Sequence, residues 1–161
     1  MYIVVESGGR LFYLGIHLCT EGNDEMYPQL ISPDQIHNTE DVCVEWRRRH
    51  SSDFSGLFGL TMTTPSKCIY GLMVTPHRKI VLLKQRSDYF FPVWGQAEDR
   101  LFHSWLNHRR RPGDDTHCTL YVAVDEDVFG AGKNAVVMSA DTDNALSVYF
   151  HEFPLACSCL K

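Results

Sequence analysis

The stretch Lys67-Cys-Ile-Tyr-Gly-Leu-Met-Val-Thr-Pro-His-Arg-Lys-Ile-Val-Leu-Leu-Lys84, taken up again by Phe91-Pro-Val-Trp-Gly-Gln-Ala-Glu-Asp-Arg-Leu-Phe-His-Ser-Trp-Leu-Asn-His-Arg109, decides the fold class. Cys68 to Val74 is an apolar run of buried-strand length, Thr75-Pro76-His77-Arg78 is turn chemistry, and Lys79 to Lys84 is a returning strand. After Gly95 the period changes. Ala97, Leu101, Trp105 and His108 recur at spacings of four and three, with Phe102 and Leu106 beside them, which predicts an amphipathic helix over about 96–110. Glu98 and Asp99 stand in its first turn and Arg109 to Arg111 in its last, matching the helix dipole at both ends, and Pro112-Gly113 stops it.

Outward from this unit the chain reads mostly as strands. Residues 2–5 and 11–18 are β-branched and aromatic, and Gly8-Gly9 between them supplies the positive φ angles of a tight hairpin. Residues 20–41 carry Pro28 and Pro33 and neither period, so they read as a long loop with a short helix at 33–38. Val42 to Trp46, Leu57 to Met62, Thr119 to Val124, Ala135 to Met138 and Ala145 to Phe150 read as further strands. The expected fold is α+β: a single domain over 1–161, mainly antiparallel sheet, packed by one principal helix at about 96–110.

The chain has 161 residues, 44% of them apolar and 22% charged, which suits one globular core and not a disordered chain. The N-terminus has no basic region leading into an apolar one, so no signal peptide is expected, and no apolar run reaches membrane-helix length. Six dispersed cysteines read as free thiols of a reducing compartment, cytoplasmic or nuclear. Net charge is −5, yet the bases are clumped as Arg47-Arg48-Arg49-His50 and His108-Arg109-Arg110-Arg111. These are either two solvated basic turns or a local patch for an acidic protein, phosphate or nucleic acid.

Several partial motifs bear on chemistry. Gly130-Ala131-Gly132-Lys133-Asn134 has the look of a phosphate loop, but Asp127 stands at its first glycine position and Asn134 where Ser or Thr should bind magnesium. Gln96-Ala97-Glu98 resembles the helix of a zinc-dependent nucleobase deaminase with Gln96 in place of the ligand, and Cys157-Ser-Cys159 is not its cysteine knuckle. His117-Cys118-Thr119 fits one half of a two-histidine phosphoesterase, its only mate being His50-Ser51-Ser52 in a segment that reads as strandless. His117, His151, Cys157 and Cys159 are of the right types for a tetrahedral zinc site, against a reading without cofactor in which the tail cysteines are free. The hairpin at 67–84 also matches the start of a Nudix domain, but no paired-glutamate helix follows Gly95.

The run from Gly59 to Arg111, with an apolar strand ending in a Pro-containing turn, the strands Cys68 to Val74 and Ile80 to Leu83, an apolar Phe91-Pro92-Val93 and then a helix Ala-x-x-x-Leu-Phe-x-x-Trp-Leu, resembles the repeating unit of the SUKH superfamily. That superfamily includes the Smi/Knr-type proteins, bacterial toxin-immunity proteins and the US-twenty-two family of large DNA viruses. The resemblance implies that Leu101, Phe102, Trp105 and Leu106 lock a helix onto the sheet. It also implies a non-enzymatic module, a viral accessory protein that binds host factors or an immunity protein that binds a rival's toxin. The basic patch of Arg47, Arg48, Arg49, Arg109, Arg110 and Arg111 is the expected contact surface. The alternative is a nucleotide- or nucleic-acid-processing enzyme of degenerate deaminase or phosphoesterase type. No membrane contact is expected.

Overall fold

Gly8 and Gly9 take left-handed φ angles of 59° and 74° and turn strand β1 (Tyr2–Ser7) into β2 (Arg10–His17), the hairpin their sequence predicts. The computed structural model describes residues 1–23, 26–50, 52, 56–75, 79–86, 92–103, 120–124, 136–139, 143 and 145–155. Among them are β3 (Gln29–Ile31), β4 (Val42–Cys43), β5 (Arg47–His50), β6 (Phe58–Thr63), β7 (Ile69–Val74) and β8 (Ile80–Gln85). They continue with β9 (Trp94–Ala97), β10 (Arg100–His103), β11 (Leu120–Val124), β12 (Val136–Ser139) and β13 (Ser147–His151). The helical content of the described residues is two 3-10 turns, Leu18–Thr20 and Pro33–Gln35.

The strands form two antiparallel sheets. The first runs β13-β1-β2-β3 with β4 on β2, and Tyr2 pairs with His151. The second runs β12-β11-β10-β9-β6-β7-β8, and its two ends, β12 and β8, come into contact. In β6, Phe58 pairs with His50 and with Trp94, and Thr61 pairs with Arg47 and with Gly71. A strand residue has one neighbour on each side, so β5 flanks one side of β6 while β7 and β9 share the other.

The expected principal helix is absent where the structure describes it, and the fold is β-rich rather than α+β. Residues 94–103 form the hairpin β9–β10, turned at Glu98 and Asp99, with Ala97 opposite Arg100 and Trp94 opposite His103. Glu98 has a left-handed φ of 56°, which a helix cannot contain. The apolar residues here satisfied two periods at once. Leu101 and His103 are buried and Arg100 and Phe102 are half-buried, a period of two, while the spacing of four came from Ala97 to Leu101 to Trp105. Trp105, Leu106 and the rest of the expected helix beyond His103 lie outside the described residues. So the locking role assigned to Leu101 and Phe102 is replaced by strand packing: Leu101 enters the core and the Phe102 ring covers Gly95.

The main core lies between the sheets. Ile3, Val5, Leu14 and Ile16 of the first meet Leu60, Met62, Leu72, Ile80, Trp94 and Leu101 of the second. Both indoles among the described residues find acceptors there, Trp94 Nε1 donating to Leu72 O at 2.8 Å and Trp46 Nε1 to Leu14 O at 2.8 Å, so neither polar atom is stranded. A second, smaller core of Val4, Tyr13, Ile31, Val42 and Val44 sits on the outer face of the first sheet. The chain after β13 crosses it, with Leu155 N–H donating to Tyr13 Oη at 2.8 Å.

A polar joint ties the sheets at the β9–β10 turn. Val148 N–H donates to Asp99 O at 2.7 Å, Ser147 Oγ to Asp99 Oδ2 at 2.6 Å, and Arg100 to Ala145 O at 2.9 Å. Glu98 and Asp99, expected at a helix N-terminus, instead cap a hairpin that clamps β13.

Candidate functional site

Residues 42–50 act as a strap between the sheets. Val42 and Cys43 pair with His17 and Ile16 of β2, Glu45 bridges to Tyr2 of β1, and Arg47 to His50 pair with β6. Trp46 exchanges backbone hydrogen bonds with Met1 on the way. The close approach requires Gly15: a Cβ there would sit 2.4 Å from Cys43 O.

The strap's second half is the basic cluster, which is a strand and not the solvated turn its composition allowed. Among the described residues β5 pairs with β6 alone, so it is an edge strand. Arg47 and His50 are exposed, and Arg48 and Arg49 are half-buried. The Arg48 guanidinium lies over the rings of Phe150 and Phe58, with its carbon 4.9 Å and 5.5 Å from their centroids. His50 meets the Phe58 ring edge-on at 5.9 Å. Cation–π contact thus fixes Arg48 as a lid on the core and leaves the strand's charge at a fixed place on the surface. Arg109, Arg110 and Arg111 lie outside the described residues.

The strap's first half floors a groove of about 530 Å³ on the outer face of the first sheet. Val42, Val44, Ile36, Pro65 and Pro154 give its lining an apolar part, and Tyr2, His37, Cys43 and Glu45 a polar one. Tyr2 Oη donates to Glu45 Oε1 at 3.1 Å. Burial pushes the Cys43 thiol above its ordinary pKa, and the carboxylates of Glu45 and Glu21 push it the same way, so Cys43 stays a thiol and not a nucleophilic thiolate.

Thr64, on the groove wall, leads to a second cluster. Glu21 Oε1 accepts from Thr64 Oγ1 at 2.7 Å, from Ser66 Oγ, and from Tyr70 Oη at 3.3 Å. These hydroxyl donors, Ser66 first, hold the Glu21 carboxyl below its usual range, with the charge of Lys84 helping. Burial and then the Glu21 charge push the Tyr70 phenol up to about 12. The carboxylate therefore pins the loop after β2 to the β6–β7 turn, where Lys67 has a left-handed φ of 66°. Nothing in the polarity of residues 20–41 announced it, since its acceptor and its donors are more than forty residues apart.

Of the remaining expected site residues, His50 ends a strand, contrary to the strandless setting read for it, and His151 ends β13. His117, Cys157 and Cys159 lie outside the described residues, as do Gly130 to Asn134. Among the described residues no three His, Cys, Asp or Glu side chains gather as a metal site would need, and no helix is long and apolar enough to cross a membrane. Glu98, the deaminase-like glutamate, is on an exposed turn and not on a helix. Compared with family models, curated proteins and solved structures, the chain finds no match in any of the three.

Proposed function

We propose that the chain is a β-rich protein-binding module that takes an extended acidic segment of a partner polypeptide along β5. The observation that carries this is a strand of three arginines and a histidine that, among the described residues, pairs with β6 alone and keeps Arg47 and His50 exposed. An edge strand offers backbone N–H and C=O groups for strand addition, and its charge selects an acidic partner over an uncharged one. Arg48, stacked on Phe58 and Phe150, is ordered before binding, which reduces the entropy lost on contact.

Binding rather than catalysis is favoured by the setting of the groups that chemistry would need. Glu98 has lost the helix the deaminase reading placed it on, and Cys43 is kept protonated. Cys19, Cys43 and Cys68 are free thiols, which supports an intracellular setting. The partner in this reading is a host or rival protein.

The test is fluorescence anisotropy with a fluorescein-labelled peptide of alternating glutamate and valine against the full chain. Arg47→Glu with Arg49→Glu should weaken binding by about tenfold or more. Unchanged affinity, or tighter binding to a single-stranded oligonucleotide of equal charge, would overturn the proposal.

A further inference from the structure

The groove beside the strap carries a charge that its walls do not balance. Glu45 is exposed, uses Oε1 to accept the Tyr2 hydroxyl, and leaves Oε2 to solvent, with no hydrogen-bond donor to it among the described residues. No lysine or arginine among them lies within ion-pair distance of it; their ion pair is Asp99 with Arg100, elsewhere. The Cys43 thiol in the groove lining is pushed up first by burial, and the charges of Glu45 and Glu21 add to it in the same direction. The lining shared with the carboxylate is largely apolar, with half-buried Ile36, the buried Val42 and Val44, and Pro65 and Pro154.

A cation on an aliphatic stem answers all of these features. The stem would cover apolar surface while the head met the carboxylate, and the Tyr2 ring, edge-on to Tyr13 at 5.7 Å, offers a fixed aromatic neighbour. Arginine fits better than lysine, because a planar guanidinium can engage a carboxylate and an aromatic face together. At about 530 Å³ the groove admits such a side chain with part of the chain on either side of it.

We propose that the groove at Glu45 receives an arginine side chain of a partner polypeptide, with the guanidinium on Glu45 beside Tyr2 and the stem along Ile36 and Val42. This surface is separate from β5 and does not rest on the reading of it. Substitution at Glu45 leaves Arg47 to His50 untouched, so the two proposals fail separately.

The test is an NMR titration of the isotope-labelled full chain with acetyl-Val-Arg-Val-amide. Its citrulline counterpart is the isosteric neutral control, and n-hexylamine is a free cation with no peptide. The arginine peptide should shift the amides of Cys43, Val44 and Thr64 in a saturable way. The citrulline peptide, and the arginine peptide with Glu45→Gln, should each bind about tenfold more weakly or worse. Equal affinity for arginine and citrulline overturns the proposal, as does the absence of shifts in the groove. Hexylamine binding as tightly as the peptide would overturn the polypeptide as its source. The citrulline arm needs no variant, so the outcome does not depend on how Glu45→Gln folds.

Discussion

The ring of Phe102 lies against Gly95 across the β9–β10 hairpin, so closely that a Cβ on Gly95 would stand 2.3 Å from Phe102 Cζ. An aromatic ring covering a strand glycine shields its backbone and fixes the register of the pair. Gly95→Ala should therefore destabilise the fold by about 1–3 kcal/mol, the usual range for overpacking. Adding Phe102→Ala should recover part of that loss, giving a double-mutant coupling measurable by urea unfolding.

Gly15→Ala should cost more than Gly95→Ala. The nearest atom at Gly15 is the carbonyl oxygen of Cys43 at 2.4 Å, and backbone cannot swing away as a ring can. The variant should loosen the strap, read as faster hydrogen exchange at Trp46 and at Met1's neighbours in β1.

His103 is fully buried against Trp94, ring centroids 5.1 Å apart, and burial lowers its pKa from 6.5 to about 4. The folded protein keeps the imidazole neutral where the unfolded chain protonates it. Its contribution is complete above pH 6.5 and is lost as pH falls towards 4, on the order of 3 kcal/mol across that window. Urea unfolding at a series of pH values should show the decline, and His103→Gln should flatten it. An unchanged slope would assign the decline to other groups.

Glu21→Gln should lower the Tyr70 phenol from about 12 part of the way towards 10, because it removes the Glu21 charge, the second-largest cause, and leaves burial and the neighbouring Cys68 in place. Ultraviolet titration of the phenolate reads this directly, with Tyr70→Phe identifying the signal.

Ser147 Oγ holds the Asp99 carboxyl below its ordinary range, and Arg100 assists. Ser147→Ala should raise the Asp99 pKa, seen by carbon-detected NMR titration. The stability tied to this group is present above its unfolded pKa and lost as pH falls through the folded one, so the variant should lose it at higher pH.

The strands were legible wherever local chemistry and burial agreed. Gly8-Gly9 announced the first hairpin, and the runs Cys68 to Val74 and Lys79 to Lys84 announced another, seen as Ile69–Val74 paired with Ile80–Gln85. Residues 96–103 misled because strand pairing, not periodicity, settles such a segment: the partner of Phe102 is Gly95, and only the fold puts a turn at Glu98. Arg47 to Arg49 looked like a turn because a strand is normally recognised by apolar residues, and β5 owes its place to Thr61, Leu60, Gly59 and Phe58 opposite it. The groove had no local sign at all. Tyr2, Ile36, Val42 and Pro154 are far apart in the chain and meet only once β13 has closed on β1.

That closure has a consequence during synthesis. Tyr2 to Glu6 find their outer neighbours in Ser147 to His151, so one flank of an apolar strand has no native partner until nearly all the residues described here have left the ribosome. A nascent chain halted before Ser147 would expose Ile3, Val4 and Val5 along an open ladder, a template for any neighbouring chain. Chaperone demand should therefore fall sharply at the moment β13 emerges.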